Sequence, residues 1–206
     1  MKTLTKLVAY LKERRVLSKK HIIQAFLNID RKDFVLMDLR SLAYIDEPLS
    51  IGHGQTISQP YTVALMLELL NAKKGDKVLD VGSGSGYTTA LLAEIVGKTG
   101  KVIGVEIIPE LVTMGRNNLA KYNFSNAEIR QAGEVVGAPE NSPYDRILVS
   151  ASSDEIPKVL VKQLKKNGTM VIPVGNDIYK IKKKSDGSLK LERHEGFSFV
   201  PLTEKQ

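Results

Sequence analysis

Apolar residues recur at helical spacing near the start of the chain and at strand spacing beyond residue 77, and that change of period organises the sequence. Leu4, Leu7, Val8 and Leu11 form one stripe within residues 2–14, with charges opposite, which predicts a helix. Ser18 is placed to cap a second helix carrying Ile22, Ile23, Phe26 and Leu27. Residues 34–62 are less periodic and rich in turn formers, among them Pro48, Gly52, Gly54 and Pro60; a helix then runs through Val63, Leu65, Met66, Leu67, Leu69 and Leu70. From Lys77 onward, short β-branched runs alternate with helical segments. The pattern predicts strands at Lys77–Val81, Lys101–Glu106, Ala127–Gln131, Arg146–Ser150 and Thr169–Val174. Helices are predicted at Thr88–Val96, Pro109–Lys121 and Ile156–Leu164. Such alternation describes an α/β fold with a doubly wound, mostly parallel sheet. After Val174 the texture becomes antiparallel. Ile178–Lys183 and Ser188–Arg193 flank the hairpin signal Ser185-Asp186-Gly187, and Gly196–Leu202 predicts a last strand. With no internal repeat and no low-complexity segment, the economical reading is a single domain. It has an N-terminal helical lobe over residues 1–62 and an α/β core over residues 63–206.

Composition narrows the classes. The 206 residues include no cysteine, which excludes disulfides, thiolate metal sites and cysteine nucleophiles. The three histidines, His21, His53 and His194, sit at no metal-ligand spacing. No apolar run approaches the roughly 20 residues that cross a bilayer. The first residues soon meet Lys12, Glu13, Arg14 and Arg15, unlike a signal peptide. The expectation is a soluble, cytoplasmic, metal-free, monomeric protein without a membrane partner. The net charge of +7 raises the question of nucleic acid. From Lys158 to His194, ten Lys/Arg face three Asp/Glu, a surplus of seven that equals the whole net charge. Tyr179 and Ile181 alternate there with Lys180 and Lys182, which reads as a solvated edge strand guarded by lysines. A docking patch for an acidic partner is the alternative.

The sharpest chemistry is Asp80-Val81-Gly82-Ser83-Gly84-Ser85-Gly86-Tyr87, where a buried strand ends and a helix begins. Glycines at 82, 84 and 86 allow a tight turn and bring a ligand close to main-chain N–H groups. The GxGxG spacing is one residue shorter than the dinucleotide fingerprint. A tight loop without lysine, followed directly by Tyr87, suits a cofactor with an amino-acid tail and no phosphate. S-adenosylmethionine is thus favoured over NAD. Glu106 ends the next strand, where a carboxylate can accept from both ribose hydroxyls of an adenosine group, and Asp80 is placed to meet an ammonium group or the loop amides. The competing reading is a relative that keeps this loop and binds nothing.

The stretch Ile51-Gly52-His53-Gly54-Gln55-Thr56-Ile57-Ser58-Gln59-Pro60 resembles the signature of protein-L-isoaspartate O-methyltransferases. The resemblance continues through Asp80–Tyr87, Pro143–Ile147, Ile156-Pro157, Gln163-Leu164, Val171–Gly175 and Phe199–Thr203, in matching order from about residue 16 to the end. It implies a class I methyltransferase (Rossmann-like) fold and methyl transfer from S-adenosylmethionine, leaving S-adenosylhomocysteine. The acceptor is the free α-carboxylate of L-isoaspartyl residues in damaged proteins; the ester then cyclises to a succinimide whose hydrolysis restores some aspartate. A carboxylate is already nucleophilic at neutral pH, so the site has to supply in-line positioning and exclusion of water rather than a strong base. By the same resemblance Ser58 carries the catalytic or substrate-orienting role. Gln55, Thr56, Ile57 and Ser58 line the methyl-donor pocket with Asp80, Gly82, Ser83, Gly84, Gly86, Tyr87, Glu106, Ile107 and Glu134, and Thr203 contributes a lid contact. From the residues alone, Ser58 and Thr56 could instead cap the helix after Pro60, and His53 reads as a loop residue. The chain departs from the family at the third strand. Where Gly-Asp-Gly commonly places an acid on the adenine amino group, it reads Ala132-Gly133-Glu134. Three alternatives stay open: Glu134 substitutes, the Val135–Ser142 loop is remodelled, or adenine recognition is weakened. Two rivals remain for function: a class I methyltransferase acting on RNA, and a non-catalytic cofactor-binding relative.

Overall fold

The protein is described from a computed structural model covering residues 1–202; the predicted contact at Thr203 lies outside the described residues. Helix α1 spans Leu4–Glu13, with Thr3 accepting the Lys6 amide at its start. Helix α2, Lys20–Asn28, is capped differently from the expectation. The Ser18 and Lys19 amides both go to the Glu68 carboxylate, at 2.8 and 2.7 Å, so a residue of a later helix closes the α2 N-terminus and the Ser18 hydroxyl follows it. Two 3-10 turns, Arg31–Phe34 and Met37–Leu42, lead into strands β1, Leu49–Gly52, and β2, Gln55–Ile57. These pair antiparallel around His53-Gly54, both with positive φ. This hairpin was not legible in the sequence, where glycines at 52 and 54 break an already short alternation. Helix α3 follows at Pro60–Leu70.

The main sheet is built as the alternation predicts. Strand β3 (Lys77–Val81), helix α4 (Tyr87–Val96), strand β4 (Lys101–Glu106), helix α5 (Pro109–Ala120) and strand β5 (Ala127–Gln131) come in that order. Strand β6 (Tyr144–Val149), helix α6 (Lys158–Gln163), strand β7 (Leu164–Val174) and the antiparallel strands β8 (Asp177–Lys183) and β9 (Leu189–Glu195) complete it. The strand order is β5-β4-β3-β6-β7-β8-β9, parallel from β5 to β7. Strand β7 begins five residues earlier than predicted, because Leu164 already pairs with Tyr144. Residues 196–202 form no strand. They run past the C-terminal end of β6, tied by the Gly196 and Phe197 amides to the Asn176 carbonyl, by the Ser152 amide to the Val200 carbonyl and by the Leu202 amide to the Ser152 carbonyl, which makes one isolated bridge and no ladder.

Both sheet faces are covered, as a parallel sheet requires. One core joins Leu7, Leu11, Phe26, Phe34 and Leu67 of the N-terminal helices and turns to α4 and to Val78, Val102 and Ile129 of the sheet. The other packs Leu160 of α6 on Leu79, Ile103, Ile147 and Met170. The lysine-guarded edge also moves. Strand β8 lies between β7 and β9 and buries Ile178 and Ile181, so β9 is the edge strand and carries the alternating exposed charges. Three of the ten basic side chains of residues 158–194 are engaged within that stretch: Lys180 pairs with Glu192 at 2.9 Å, Arg193 with Asp177 at 2.7 Å, and Lys183 donates to the Val161 and Leu164 carbonyls that end α6. Among the described residues no helix is long and apolar enough to cross a membrane, and no cluster of side chains could hold a metal ion.

Candidate active site

In open α/β sheets ligands bind outside the carboxyl ends of the strands. Here Val81, Val105, Ala132 and Ser150, at or just beyond the ends of β3, β4, β5 and β6, border one cavity of ≈ 410 Å³. The β1–β2 hairpin supplies a wall through Ile51, Gln55, Thr56, Ile57 and Ser58, and Val200–Leu202 close the side beside β6. Of the residues singled out in the sequence, Gln55, Thr56, Ile57, Ser58, Gly82, Ser83, Gly84, Tyr87, Glu106, Ile107 and Glu134 line this cavity together.

Asp80 and Gly86 do not. The Asp80 carboxyl, fully buried, lies behind the loop: its Oδ2 accepts from the Thr88 and Thr89 hydroxyls at 2.7 and 2.6 Å, and its Oδ1 has no hydrogen-bond partner. Burial pushes it up to about 6 despite those hydroxyls, with the nearby Glu106 charge acting in the same direction. Its position four residues into a five-residue strand, rather than at the tip, keeps it from the loop amides. Gly86 faces the opposite way, and a Cβ there would meet the Gly115 carbonyl and Ile129 Cδ1, both at 3.0 Å. Gly115, inside α5, has the reciprocal constraint, with Ile129 Cδ1 at 2.8 Å and the Gly84 carbonyl at 3.0 Å. The glycine loop thus rests on a second glycine in a helix, where nothing in the sequence distinguished Gly115.

Four of the five amides of Gly82–Gly86 are also spoken for, contrary to the expectation that the loop amides would face a ligand; the Ser85 amide alone has no acceptor among the described residues. Gly82 and Ser83 donate to the Val105 carbonyl, Gly86 to the Ser83 carbonyl, and Gly84 to Glu106 Oε2 at 2.9 Å. Oε1 of Glu106 accepts the Ile107 and Ile108 amides at 2.8 and 3.0 Å. A carboxylate offers about four acceptor positions, so Glu106 retains one toward the cavity while organising the loop and the strand end at once. What the loop leaves for a ligand is space without Cβ atoms and the Ser85 amide, while the Ser83 hydroxyl is buried away from the surface without a partner among the described residues.

Ser58 and Thr56 do not cap α3. Asp46 does that work, accepting the Tyr61 amide at 2.8 Å and the Gln59 side chain at 3.2 Å. Among the described residues neither the Ser58 nor the Thr56 hydroxyl makes a hydrogen bond, and both border the cavity and a second cleft of ≈ 700 Å³. Tyr10, Arg14, Asp46, Tyr61 and Phe197–Val200 wall that cleft, so hairpin, first helix and C-terminal segment meet around it. His53 stays in the exposed hairpin turn, outside both cavities.

At the altered corner Glu134 is exposed, lines the cavity and makes no hydrogen bond among the described residues; a Cβ on Gly133 would have nothing within 4 Å. The following loop is built, with a 3-10 turn at Pro139–Asn141. Gln163, buried on α6, holds it by accepting the Ala138 amide at 2.9 Å and donating to the Val136 carbonyl at 2.8 Å. A further residue absent from the sequence reading is Arg31. It is fully buried, and donates from Nη1 to the Ser58 carbonyl at 2.9 Å and from Nη2 to the Glu47 carbonyl at 3.3 Å and the Ile57 carbonyl at 3.5 Å.

The family model for protein-L-isoaspartate (D-aspartate) O-methyltransferase matches residues 2–206 of the chain. The protein-L-isoaspartate O-methyltransferase of Methanopyrus kandleri is 45% identical over 202 residues, covering 96% of this chain and 89% of that protein. Its counterpart in Thermococcus onnurineus is 45% identical over 201 residues, covering 95% and 90%. Among solved structures, a Plasmodium falciparum protein described as a protein-L-isoaspartate O-methyltransferase, in complex with S-adenosyl-L-homocysteine, superposes with a TM-score of 0.86 at 31% identity, covering 97% of this chain and 98% of that one.

Proposed function

The chain belongs to the protein-L-isoaspartate (D-aspartate) O-methyltransferase family, and on that premise we propose how its residues divide the work of methyl transfer. The seven-stranded sheet is the Rossmann-like sheet of class I methyltransferases, and the reaction is S-adenosylmethionine-dependent esterification of the free α-carboxylate of L-isoaspartyl residues in damaged proteins. When bound, S-adenosylmethionine supplies an electrophilic methyl group and leaves as S-adenosylhomocysteine.

The observation that carries the assignment of residues is the shared wall between two cavities. The ≈ 410 Å³ cavity at the strand ends suits the cofactor: a mostly apolar enclosure and a Glu106 carboxylate with an acceptor position in reserve. Glu106, Ser83, Gly82, Gly84, Tyr87, Ile107 and Gln55–Ser58 would hold it, and Glu134 would face its adenine. Asp80 and Gly86 support the loop from behind. The ≈ 700 Å³ cleft takes the polypeptide, with Thr56 and Ser58 at the boundary. The Ser58 hydroxyl, which has no partner among the described residues, is available to orient the attacking carboxylate by a hydrogen bond without neutralising it. Water exclusion falls to Val200–Leu202 and the hairpin, which border the cavity on two sides.

The same reading treats residues 1–206 as one catalytic unit, monomeric and cytoplasmic. The match to protein carboxyl methyltransferases across residues 2–206 favours a polypeptide over an RNA acceptor. Labelled S-adenosylmethionine offered with an isoaspartyl peptide, the same peptide carrying ordinary aspartate, and RNA tests it. Base-labile methyl ester is expected on the isoaspartyl peptide alone, and Ser58→Ala should lower turnover while S-adenosylhomocysteine still binds. Transfer to RNA, or equal transfer to both peptides, would sink the substrate assignment.

A further inference from the structure

The buried Arg31 guanidinium faces no carboxylate within salt-bridge distance among the described residues. Its anions are replaced by main-chain dipoles: the carbonyls of Ser58, Ile57 and Glu47, all within 3.5 Å. Its Cζ also lies 5.6 Å from the centre of the Tyr87 ring, within cation–π range. Burying a cation with no carboxylate in contact is costly, the Asp46 charge acting only from a distance, and Nε has no acceptor among the described residues. The desolvation shows in the guanidinium itself, lowered to about 10. An apolar side chain could fill such a place at less expense, so the fork must supply something that packing alone does not.

Its partners indicate what that is. Glu47 precedes β1, Ile57 and Ser58 end and follow β2, and Tyr87 opens α4 directly after the glycine loop. One planar group therefore clamps both open ends of the hairpin and braces them on the helix that carries the cofactor loop. Arg31 is itself held from outside. The Tyr44 hydroxyl donates to the Asp30 carboxylate at 2.9 Å, the Tyr122 hydroxyl donates to Asp33 at 2.8 Å and accepts the Asp30 amide at 2.9 Å, and Phe34 stacks on Tyr122. Lysine cannot reproduce this, because a single ammonium has no rigid fork to span two chain segments.

We propose that Arg31 is a positioning residue of the methyl-transfer site, fixing the Ile57–Ser58 main chain against the glycine-loop helix so that the Ser58 hydroxyl meets the substrate carboxylate in line with the methyl donor. The proposal rests on the isoaspartyl reading, and the experiment separates the two. Arg31→Lys, Ser58→Ala and the double variant are assayed for kcat and KM with an isoaspartyl peptide and for S-adenosylhomocysteine affinity by calorimetry. Misplacement of about 1 Å costs on the order of 100-fold, so Arg31→Lys is expected to lower kcat between about 10- and 100-fold. KM and S-adenosylhomocysteine affinity should move by no more than about threefold, since neither cavity loses a lining residue. In the Ser58→Ala background Arg31→Lys should cost little more, because both act through one hydroxyl. Arg31→Ala with added guanidinium ion supplies a second measurement, in which restored turnover supports positioning by the fork. Unchanged kcat in Arg31→Lys, losses that multiply in the double variant, or no rescue of Arg31→Ala would overturn the proposal. A wild-type enzyme inactive on the isoaspartyl peptide would instead overturn the reading beneath it.

Discussion

At the scale of single residues, the site is organised by groups that the chemistry does not touch. Asp80 is the clearest case, because a buried carboxyl with one unpartnered oxygen favours its neutral form. In the unfolded chain it ionises near the ordinary aspartate value of 3.8, and in the fold it keeps its proton up to about 6. Between those values the folded state binds more protons than the unfolded state, so Asp80 makes stability fall as pH rises through the window. A shift of about two units corresponds to roughly 3 kcal/mol. Urea unfolding of the ligand-free protein and of Asp80→Asn at pH 4.5 and 7.5 should show the wild type losing about 2 kcal/mol relative to the variant, the rest of the effect lying below pH 4.5. Parallel profiles would mean that Asp80 is solvated. The aspartate was visible in the sequence as part of the motif, but its role was misjudged, because spacing does not show which side of a strand tip faces the ligand. Arg31 was not visible at all. Its meaning depends on carbonyls 16 to 27 residues away, and a lone arginine in an irregular stretch gives no signal of that.

At the scale of elements, legibility follows burial. Strands β3 and β4 match their predicted bounds because apolar runs buried on both faces end sharply at turn residues, and β5, an edge strand with only Ile129 buried, is bounded by the turns on either side of it. The β1–β2 hairpin and the run 196–202 failed in opposite directions. The hairpin is too short to show a period, whereas the C-terminal run has strand-like residues but only scattered anchoring bonds, to Asn176 at its start and to Ser152 at its end, and no ladder. Both flank the cavity, which is where local pattern and tertiary demand part company. The packing of α5 under the glycine loop yields a prediction of unusual sign. Replacing a helix-interior glycine by alanine ordinarily stabilises by about 1 kcal/mol. Gly115→Ala should do the reverse, since its Cβ would lie 2.8 Å from Ile129 Cδ1 and 3.0 Å from the Gly84 carbonyl, which can yield only by moving the loop. The expected result is a lower thermal midpoint together with weaker S-adenosylhomocysteine binding; a more stable variant with unchanged affinity would show that the loop does not rest on α5.

At the scale of the whole molecule, the N-terminal helices are not an appendage. Leu7, Leu11 and Phe26 belong to the same buried cluster as α4 and one face of the sheet, and the Phe26 and Phe34 rings both pack on Tyr87 at the head of the cofactor-loop helix. Glu68 ties α3 to the start of α2 from the other side. Cores joined in this way unfold together, so near-ultraviolet circular dichroism, which reports tyrosines such as Tyr87 in this tryptophan-free chain, should give the same denaturation midpoint as far-ultraviolet dichroism. Ligand linkage sharpens the expectation. S-adenosylhomocysteine at about 100 times its dissociation constant adds about 2.7 kcal/mol, which for a chain of this size raises the thermal midpoint by roughly 5–10 °C. Because the hairpin, the loop helix and the N-terminal lobe are braced through Arg31 and Tyr87, the ligand should shift the lobe's transition as far as the sheet's. Two separated transitions, with only the later one moved by ligand, would show that the lobe folds apart from the site it walls.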